Sequence, residues 1–558
     1  MPKSPPSAAY AYPAALTVIW MAMLAAVNPI GDFPLNDDWA YGQAVRTLYD
    51  QHRLMMPGWA DAAVVAQILW GYLFCLPVGF SFTALRVSTA VLGLGAVLST
   101  YALCREAGAS HGLSFLCALA VAANPLFFES SNTFMSDTPF LAFFLMSFLC
   151  FVHAARTSSN WTALLAIVLA LAATMTRQVG MTLPLLFAVG CLLSRMLTLR
   201  NAALAAFTYL VLAGAMRLLE EWLRVSGQLS ANYGRLMRVV MMRLRHPFDP
   251  ASSIPTFNAD GTVVVLTYVG FFLLPALIAV LPRRLNRLRP AFPIAAALLV
   301  GFGWRAVIRL AEHVWSMPFF PHFNLIDLGL GPNLLPDRRL DNFPRAGPGF
   351  WPTVTRVGYV GGGVLIFLVV VVGIELVRRR TPPPARSTKL TAAMALGFVV
   401  GYGVTLLLMP FDRYFVPIFP MALIAASWSD DAPVHGRVWR SFAGLVSMVA
   451  LVGILSHAAF SVAATHGYLA WNRVRWVALR ELMEDGVTPA EIDGGFEFNG
   501  FYRYGAPSNP DKGPWVEDDR YIVAHGPVPG YRALRSYPYR RWIAPPQGTI
   551  YLLVRQES

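Results

Sequence analysis

The chain has 558 residues, of which 56% are hydrophobic and 13% charged, and its mean hydropathy is +0.51. A soluble globular enzyme carries about 45–50% apolar residues, so the composition excludes that class and predicts a polytopic membrane protein. The formal charge of +13 does not indicate nucleic-acid binding, because the basic residues fall mostly in short connections between apolar runs, as membrane insertion requires.

Apolar runs through the first 462 residues predict an all-α membrane domain of about 11–13 transmembrane helices, each needing roughly 20 apolar residues. The runs lie at residues 13–30, 82–103, 112–127, 137–154, 161–176, 180–194, 201–217, 263–281, 291–311, 356–377, 390–409, 414–428 and 441–462. The first run has no convincing small-residue cleavage site, so we expect a retained span and not a signal peptide. The five cysteines show no CxxC spacing and are interpreted as small core residues.

Basic residues crowd two short connections, Arg283–Arg289 and Arg378–Lys389. The positive-inside rule places both in the cytoplasm. Counting spans from them puts the loop after the first span, the segments 218–262 and 312–355, and the tail on the extracytoplasmic side. Nearly all the cations are arginine, which is typical of a GC-rich genome and favours a bacterial inner (plasma) membrane.

The topology depends on residues 63–79, which are apolar but short. Gln67, Trp70 and Tyr72 give this run an interfacial character, so we predict a half-buried helix on the outer leaflet and not a span. The segment that begins near Trp39 has apolar residues at helical spacing on one face. Two interfacial helices are therefore expected in the first outer loop.

From about residue 463 the composition becomes polar and aromatic. Alternating runs at 521–524 and 549–554, between Pro and Gly turns, predict strands. The chain is therefore divided into a transmembrane domain, 1–462, and a small extracytoplasmic C-terminal domain with β-structure, 463–558. The aromatic run Phe496–Tyr502 is interpreted as the core of this β-domain, with sugar stacking as the alternative.

An acidic pair, Asp37 and Asp38, opens the first interfacial helix. One of these residues or Asn36 is expected to cap the helix, but a cap uses only one side chain. Partial desolvation at the rim of the bilayer would raise the pKa of a carboxylate toward that of a useful general base. Catalysis is therefore the second interpretation of this pair.

A further acid, Asp137, precedes Thr138 and Pro139 at the outer start of a predicted span. The pattern is a standard helix start, so capping alone is one interpretation. The predicted topology places Asp137 on the same face as Asp37, and acids that return to one face of a membrane protein indicate function.

Three arginines are predicted near the outer leaflet. Arg177 lies in a short outer turn where the positive-inside rule disfavours it, and Arg413 occupies a similar turn, where a surface pair with Asp412 is the alternative. Arg86 begins a span, where snorkelling is the alternative. Guanidinium groups in this position suit phosphate recognition by forked hydrogen bonds.

Five short motifs, in their order along the chain, resemble landmarks of the polyprenyl-phosphate-sugar-dependent membrane glycosyltransferases of the C-type superfamily. This family includes the protein O-mannosyltransferases and the bacterial aminoarabinose transferases that modify lipid A. The motifs are Asp37–Tyr41, Arg86–Ser88, Asp137–Pro139, Thr176–Arg177 and Arg413–Pro417. The resemblance covers about residues 10–430 and leaves the tail unexplained.

The resemblance implies that Asp37 is the base or acceptor-orienting group, with Asp38 in the adjacent acidic position and Asp137 as the second acid. Arg177 would hold the lipid phosphate where relatives usually carry lysine, and the motif of Arg413 and Tyr414 would contribute to substrate binding. The implied reaction moves a sugar, with inversion, from a polyprenyl phosphate to an acceptor lipid, glycan or protein at a periplasmic active site.

A divalent cation, Mg²⁺ or Mn²⁺, between Asp37 and Asp137 is a further hypothesis, because carboxylates suit these ions. No histidine or further acid completes an obvious ligand set, so no metal site is assigned. A transporter or flippase of lipid-linked sugars is the alternative function. It would show ionisable residues deep within spans or broken helices in two matching halves, which we do not expect here. A ligase for lipid-linked glycans and a non-enzymatic scaffold are the remaining alternatives.

Overall fold

A computed structural model describes residues 6–245, 259–285, 292–318, 324–328, 346–379, 382, 385–408, 411–428, 437–507 and 512–556. Parts of both basic connections and most of the predicted outer loop 312–355, including Asp337–Arg339, lie outside these ranges.

Residues 6–225 contain ten α-helices. They are α1 (Pro6–Val27), α2 (Asp38–Gln51), α3 (Val65–Cys75), α4 (Phe82–Glu106), α5 (His111–Ala122), α6 (Pro125–Ser131), α7 (Asp137–Thr157), α8 (Asn160–Thr176), α9 (Thr182–Ser194) and α10 (Leu199–Val225). Ser81, Ser159 and Thr198 each accept a hydrogen bond from a first-turn amide, so side-chain caps fix where α4, α8 and α10 begin.

Ten further helices follow. They are α11 (Arg235–Arg245), α12 (Ala259–Val280), α13 (Pro282–Leu285), α14 (Phe292–Ala311), α15 (Asn324–Asp327), α16 (Phe350–Arg378), α17 (Arg386–Leu408), α18 (Ile418–Ser427), α19 (Arg437–Glu484) and α20 (Phe496–Arg503). Short 3-10 turns cover Gln178–Met181, Asp412–Phe415 and Pro489–Glu491.

Within the described ranges, nine helices are long and apolar enough to cross a membrane. The pair α5 and α6, bent by 65° at a short break, makes a tenth if it is one span. The higher predicted number also included α8, α9 and α18, which are shorter. The chain is therefore a multi-pass membrane protein. Broken helices in two matching halves were not expected, and the described ranges contain this one bent pair.

Close backbone contact brings α12 and α16 together. A Cβ atom built on Gly270 would lie 2.1 Å from the backbone nitrogen of Gly362, and one built on Gly361 would lie 2.2 Å from the carbonyl oxygen of Gly270. Small residues at a helix crossing permit such an approach, which is a common way of packing helices within membranes.

The two expected helices in the first loop are present as α2 and α3. At 11 residues, α3 is too short to span a bilayer, in agreement with the interfacial interpretation of residues 63–79. In α2, Tyr41 and Val45 are buried whereas Arg46 and Asp50 are exposed, so its two faces differ as predicted.

The tail contains a four-stranded sheet with the order β1 (Ile492–Asp493), β2 (Tyr521–Ala524), β4 (Gln547–Arg555) and β3 (Tyr531–Arg540). Strands β2 and β4 confirm the two predicted runs. The aromatic run Phe496–Tyr502 forms helix α20, which packs on α2, and its Phe498 is buried in the same hydrophobic core as Val523 and Ile550 of the sheet. Helix α19 continues past residue 462 into this region, and the proposed division into two domains stays a prediction.

Candidate active site

The segment that joins α1 to α2 has no regular secondary structure, so its carbonyl groups need donors from elsewhere. Arg86, on α4, donates to three of these carbonyl oxygens, and Arg473, on α19, donates to two others. The path of the chain into α2 is thus fixed by arginines from two distant helices.

Asp37 occupies the N-cap position of α2, but its side chain makes no capping hydrogen bond. One carboxylate oxygen accepts a hydrogen bond from Nε1 of Trp59 at 2.9 Å, and the other lies 2.9 Å from a guanidinium nitrogen of Arg413. The capping interpretation is therefore wrong for this side chain. Asp37 is a nearly buried carboxylate held by one aromatic donor and one cation.

Asp38 has a different environment. It is fully buried and accepts hydrogen bonds from the backbone amides of Leu35 and Phe134, the latter at 3.1 Å. Burial raises its pKa to about 8, against the opposing effects of Arg86 and of the two amides. Asp38 thus joins the first loop to the segment before α7.

Asp137 is the first residue of α7 and is also fully buried. Its carboxylate lies 2.9 Å from a guanidinium nitrogen of Arg177, whose Nε donates to Ser136 at 3.0 Å. Neither Asp137 oxygen has a partner with hydrogen-bond geometry in the part of the chain that the structure describes. Capping alone does not explain an acid in this position.

The ring of Tyr414 lies between the two ion pairs. The guanidinium carbon of Arg177 is 5.2 Å from the ring centroid, and that of Arg413 is 5.6 Å away. Burial lowers the pKa of Arg413, but nearby anions, Asp37 first among them, raise it well above its ordinary value. The acids and arginines predicted from four separate motifs therefore form one buried, charged cluster.

One comparison bears on what this cluster does. Residues 73–219, about a quarter of the chain, match the family model described as dolichyl-phosphate-mannose-protein mannosyltransferase. No curated protein matches the sequence. The family match includes α7, Asp137 and Arg177, and it confirms the resemblance that the motifs indicated. The chain is a membrane glycosyltransferase. It uses a lipid-linked sugar donor.

Solved structures with a similar fold include ArnT from Cupriavidus metallidurans bound to undecaprenyl phosphate, at 14% identity and a TM-score of 0.39, covering 97% of each chain. They also include the oligosaccharyltransferase of Archaeoglobus fulgidus in the apo form, at 13% identity and a TM-score of 0.45. That alignment covers 91% of this chain and 61% of the other. These likenesses concern the fold alone.

The structure does not bring Arg86 into the charged cluster of the glycosyltransferase. Its guanidinium is buried, binds backbone carbonyl groups and lies 4.3 Å from the centroid of the Phe33 ring. Arg86 stabilises the loop that carries Asp37. Its predicted contact with substrate has no support in this geometry.

Sequence reasoning missed two acids at the site. Glu129, on α6, is 2% exposed, accepts a hydrogen bond from Asn324 at 3.3 Å and interacts electrostatically with Asp137 and Arg413. It is the single acid in a long apolar stretch, and that isolation was the available signal.

The second acid is Asp412, for which a surface pair with Arg413 was the alternative interpretation. It is fully buried and accepts from the backbone amides of Leu325 at 2.8 Å and Arg413 at 2.7 Å. Burial raises its pKa to about 6. Asp412 fixes the turn that presents Arg413, so the surface-pair interpretation is wrong.

The residues present do not form an evident metal site. No group of three potential ligands among histidine, cysteine, aspartate and glutamate occurs within the described ranges. Asp37 and Asp137 already have arginine partners, and the positive charges of these arginines disfavour a cation between the two acids. The divalent cation stays a hypothesis.

Proposed function

We propose that this glycosyltransferase moves a sugar from a polyprenyl phosphate to a nucleophile on an extracytoplasmic acceptor, which is a lipid, a glycan or a protein. One observation carries the proposal: Asp37 and Asp137 are each paired with an arginine, and both arginines lie against Tyr414. The family match, whose model is named for dolichyl-phosphate mannose, supports a polyprenyl-phosphate donor.

In this proposal the two arginines bind the phosphate of the donor. Nε of Arg413 is buried and has no hydrogen-bond partner among the residues that the structure places. A phosphate oxygen would satisfy this donor, and a charge-assisted bond to phosphate is about twice as strong as a neutral one. The two guanidinium groups would then stabilise the negative charge that develops on the departing phosphate.

Asp37 is the proposed base. The acceptor oxygen or nitrogen attacks the anomeric carbon, the bond from that carbon to the phosphate oxygen breaks, and the acceptor proton passes to Asp37. The polyprenyl phosphate leaves with the bonding electron pair and needs no acid. A single displacement inverts the anomeric carbon, unlike the two-step reaction of retaining glycosidases.

The same proposal assigns a location. The basic connections face the cytoplasm of a bacterial inner membrane, and the charged cluster and the C-terminal region face the periplasm. The rival flippase would require a second broken helix matching α5 and α6, and the described ranges contain one bent pair.

The test uses purified protein in lipid nanodiscs, a polyprenyl phosphate with a radiolabelled sugar, and envelope vesicles from cells that lack the gene. Asp37→Asn is expected to lower transfer by about a hundredfold or more, the range of a lost general base. Asp50→Asn, on the exposed face of the same helix, is the matched control and should keep full activity. An active Asp37→Asn protein would rule out the base, and an inactive wild-type protein would rule out the donor.

A further inference from the structure

The C-terminal region contacts the loop that carries Asp37. This region lies outside the segment that matches the family model. Glu497, on α20, accepts a hydrogen bond from the backbone amide of Asn36 at 3.0 Å. Asn36 directly precedes Asp37, and its own side-chain oxygen accepts from the Asp37 amide at 2.9 Å. The contact therefore acts on the backbone immediately beside the proposed base.

Asn36 needs such support because its backbone is in the left-handed region, with φ of 55°. This conformation is uncommon for residues other than glycine, although asparagine tolerates it better than most. An external hydrogen bond that holds Asn36 in this conformation also sets the direction in which Asp37 enters α2.

The carboxylate of Glu497 is itself fixed. It lies 2.9 Å from a guanidinium nitrogen of Arg475, on α19, and neither side chain is exposed to solvent. Arg475 also donates to the carbonyl oxygen of Gly494 at 2.9 Å and to Asn472 at 3.0 Å. A buried carboxylate whose two oxygens both have partners is rigid, so Glu497 can hold the backbone of Asn36 in a defined position.

Aromatic packing joins the same two regions. The ring of Trp39 lies so close to α20 that a Cβ atom on Gly500 would be 2.4 Å from it. Trp39 and Trp59 pack with Phe496, Tyr504 and Trp515 of the tail, with ring centroids 5.3 to 6.3 Å apart. Trp59 is the donor to Asp37, so the tail supports the carboxylate from two sides.

We propose that the C-terminal region positions the catalytic loop, with Glu497 and Arg475 as positioning residues for Asp37. The idea rests on the proposed role of Asp37 and adds a function for the tail. A displacement of about 1 Å at a reacting group can lower the rate about a hundredfold. Loss of this tether, the hydrogen bond from Asn36 to Glu497, would therefore lower kcat even if Asp37 moved only slightly.

The first arm of the test compares Glu497→Ala with Glu375→Ala. Glu375 is the matched control, because it is also a buried carboxylate paired with a buried arginine, Arg284, and it lies near the C-terminal end of α16. We expect Glu497→Ala to lower kcat about tenfold or more while the donor KM stays within about threefold, the signature of an interaction lost from the transition state. Glu375→Ala should lose stability but keep kcat within about twofold in folded protein.

The second arm keeps the ion pair. Gly500→Ala places a methyl group against Trp39 and should lower kcat in the same way, whereas Gly467→Ala, where a Cβ meets nothing within 4 Å, should not. This arm decides the matter if Glu497→Ala does not fold.

A third measurement needs no activity. Hydrogen–deuterium exchange of peptides that contain residues 34–38 should become about tenfold faster in Glu497→Ala and unchanged in Glu375→Ala. Unchanged exchange in both Glu497→Ala and Gly500→Ala would overturn the tether. Faster exchange with wild-type kcat would overturn its role in the reaction. An inactive wild-type enzyme would remove the proposed function while exchange still tests the tether.

Discussion

Arg413 and Asp37 form an ion pair of 2.9 Å in which the side chains are only 12% and 10% exposed. The pair joins the turn after α17 to the start of α2, two regions that are remote in the sequence. Withdrawing two opposite charges from water together makes each dependent on the other, because either one left alone would be buried without a counter-ion.

Removing one partner of the ion pair should therefore lower the free energy of unfolding more than removing both. We expect Arg413→Ala to lower the free energy of unfolding by about 3–5 kcal/mol. Adding Asp37→Asn to that variant should recover part of the loss, with a coupling energy of about 1–3 kcal/mol. Chemical unfolding in detergent of the wild type, the two single variants and the double variant measures this coupling energy. Additive effects of the two single substitutions would contradict the pairing.

Arg177→Ala should weaken donor binding. Loss of a hydrogen bond to a charged group costs about 1.5–3 kcal/mol, so the donor KM should rise by about 10- to 150-fold. Arg177→Lys keeps the positive charge but loses the forked hydrogen bonds of the guanidinium group. Its donor KM should therefore lie between those of the wild type and Arg177→Ala. Arg46→Ala, which removes a half-exposed arginine on α2, is the control and should leave the donor KM unchanged.

Tyr414 should act through its ring and not through its hydroxyl group. Tyr414→Phe keeps the face on which both guanidinium groups lie, so its donor KM and thermal stability should stay close to those of the wild type. Tyr414→Ala removes that face and should lose about 1–2 kcal/mol of cation–π interaction energy for each buried guanidinium group. Equal losses in both variants would instead assign the role to the hydroxyl group.

The burial of Asp38 predicts a pH dependence of stability. Its pKa is about 8 in the folded state, above the ordinary value of 3.8, so the folded protein holds this proton more tightly than the unfolded chain. The stabilisation linked to this proton is complete below about pH 4 and is lost as the pH rises to about 8.

Asp38→Asn has no such proton to lose. We therefore expect the melting temperature of the wild type to fall more steeply between pH 5 and 8 than that of Asp38→Asn. If the melting temperatures of the two proteins fell equally between pH 5 and 8, Asp38 would not titrate in this way. Comparing the two proteins removes the contribution of the other acids.

The crossing of α12 and α16 should not accept a side chain. Gly361→Ala places a Cβ atom against the backbone of Gly270, so the helices must separate, at a cost of about 1–3 kcal/mol. Gly301→Ala, where a Cβ meets nothing within 4 Å, should be neutral or slightly stabilising in its helix. Thermal unfolding in detergent separates the two, and equal melting temperatures would contradict the close approach.

The sequence by itself determined the membrane class, the order of the helices, the two short helices of the first loop and the strands β2 and β4. These features follow from hydrophobic runs and from alternation, which are local properties of the chain. It also identified Asp37, Asp137, Arg177 and Arg413 as the residues to consider, because acids that return to one face of a membrane protein, and arginines in outer turns where the positive-inside rule disfavours them, indicate function.

Only the tertiary structure decided which of these residues meet. The first-loop acids have similar sequence surroundings, yet Asp37 pairs with Arg413 whereas Asp38 is buried against backbone amides. Arg86 serves the loop and not the cluster, and Glu497 reaches Asn36 from the far end of the chain. Burial and ion pairing depend on distances across the fold, and no local pattern encodes which helix end a side chain will face.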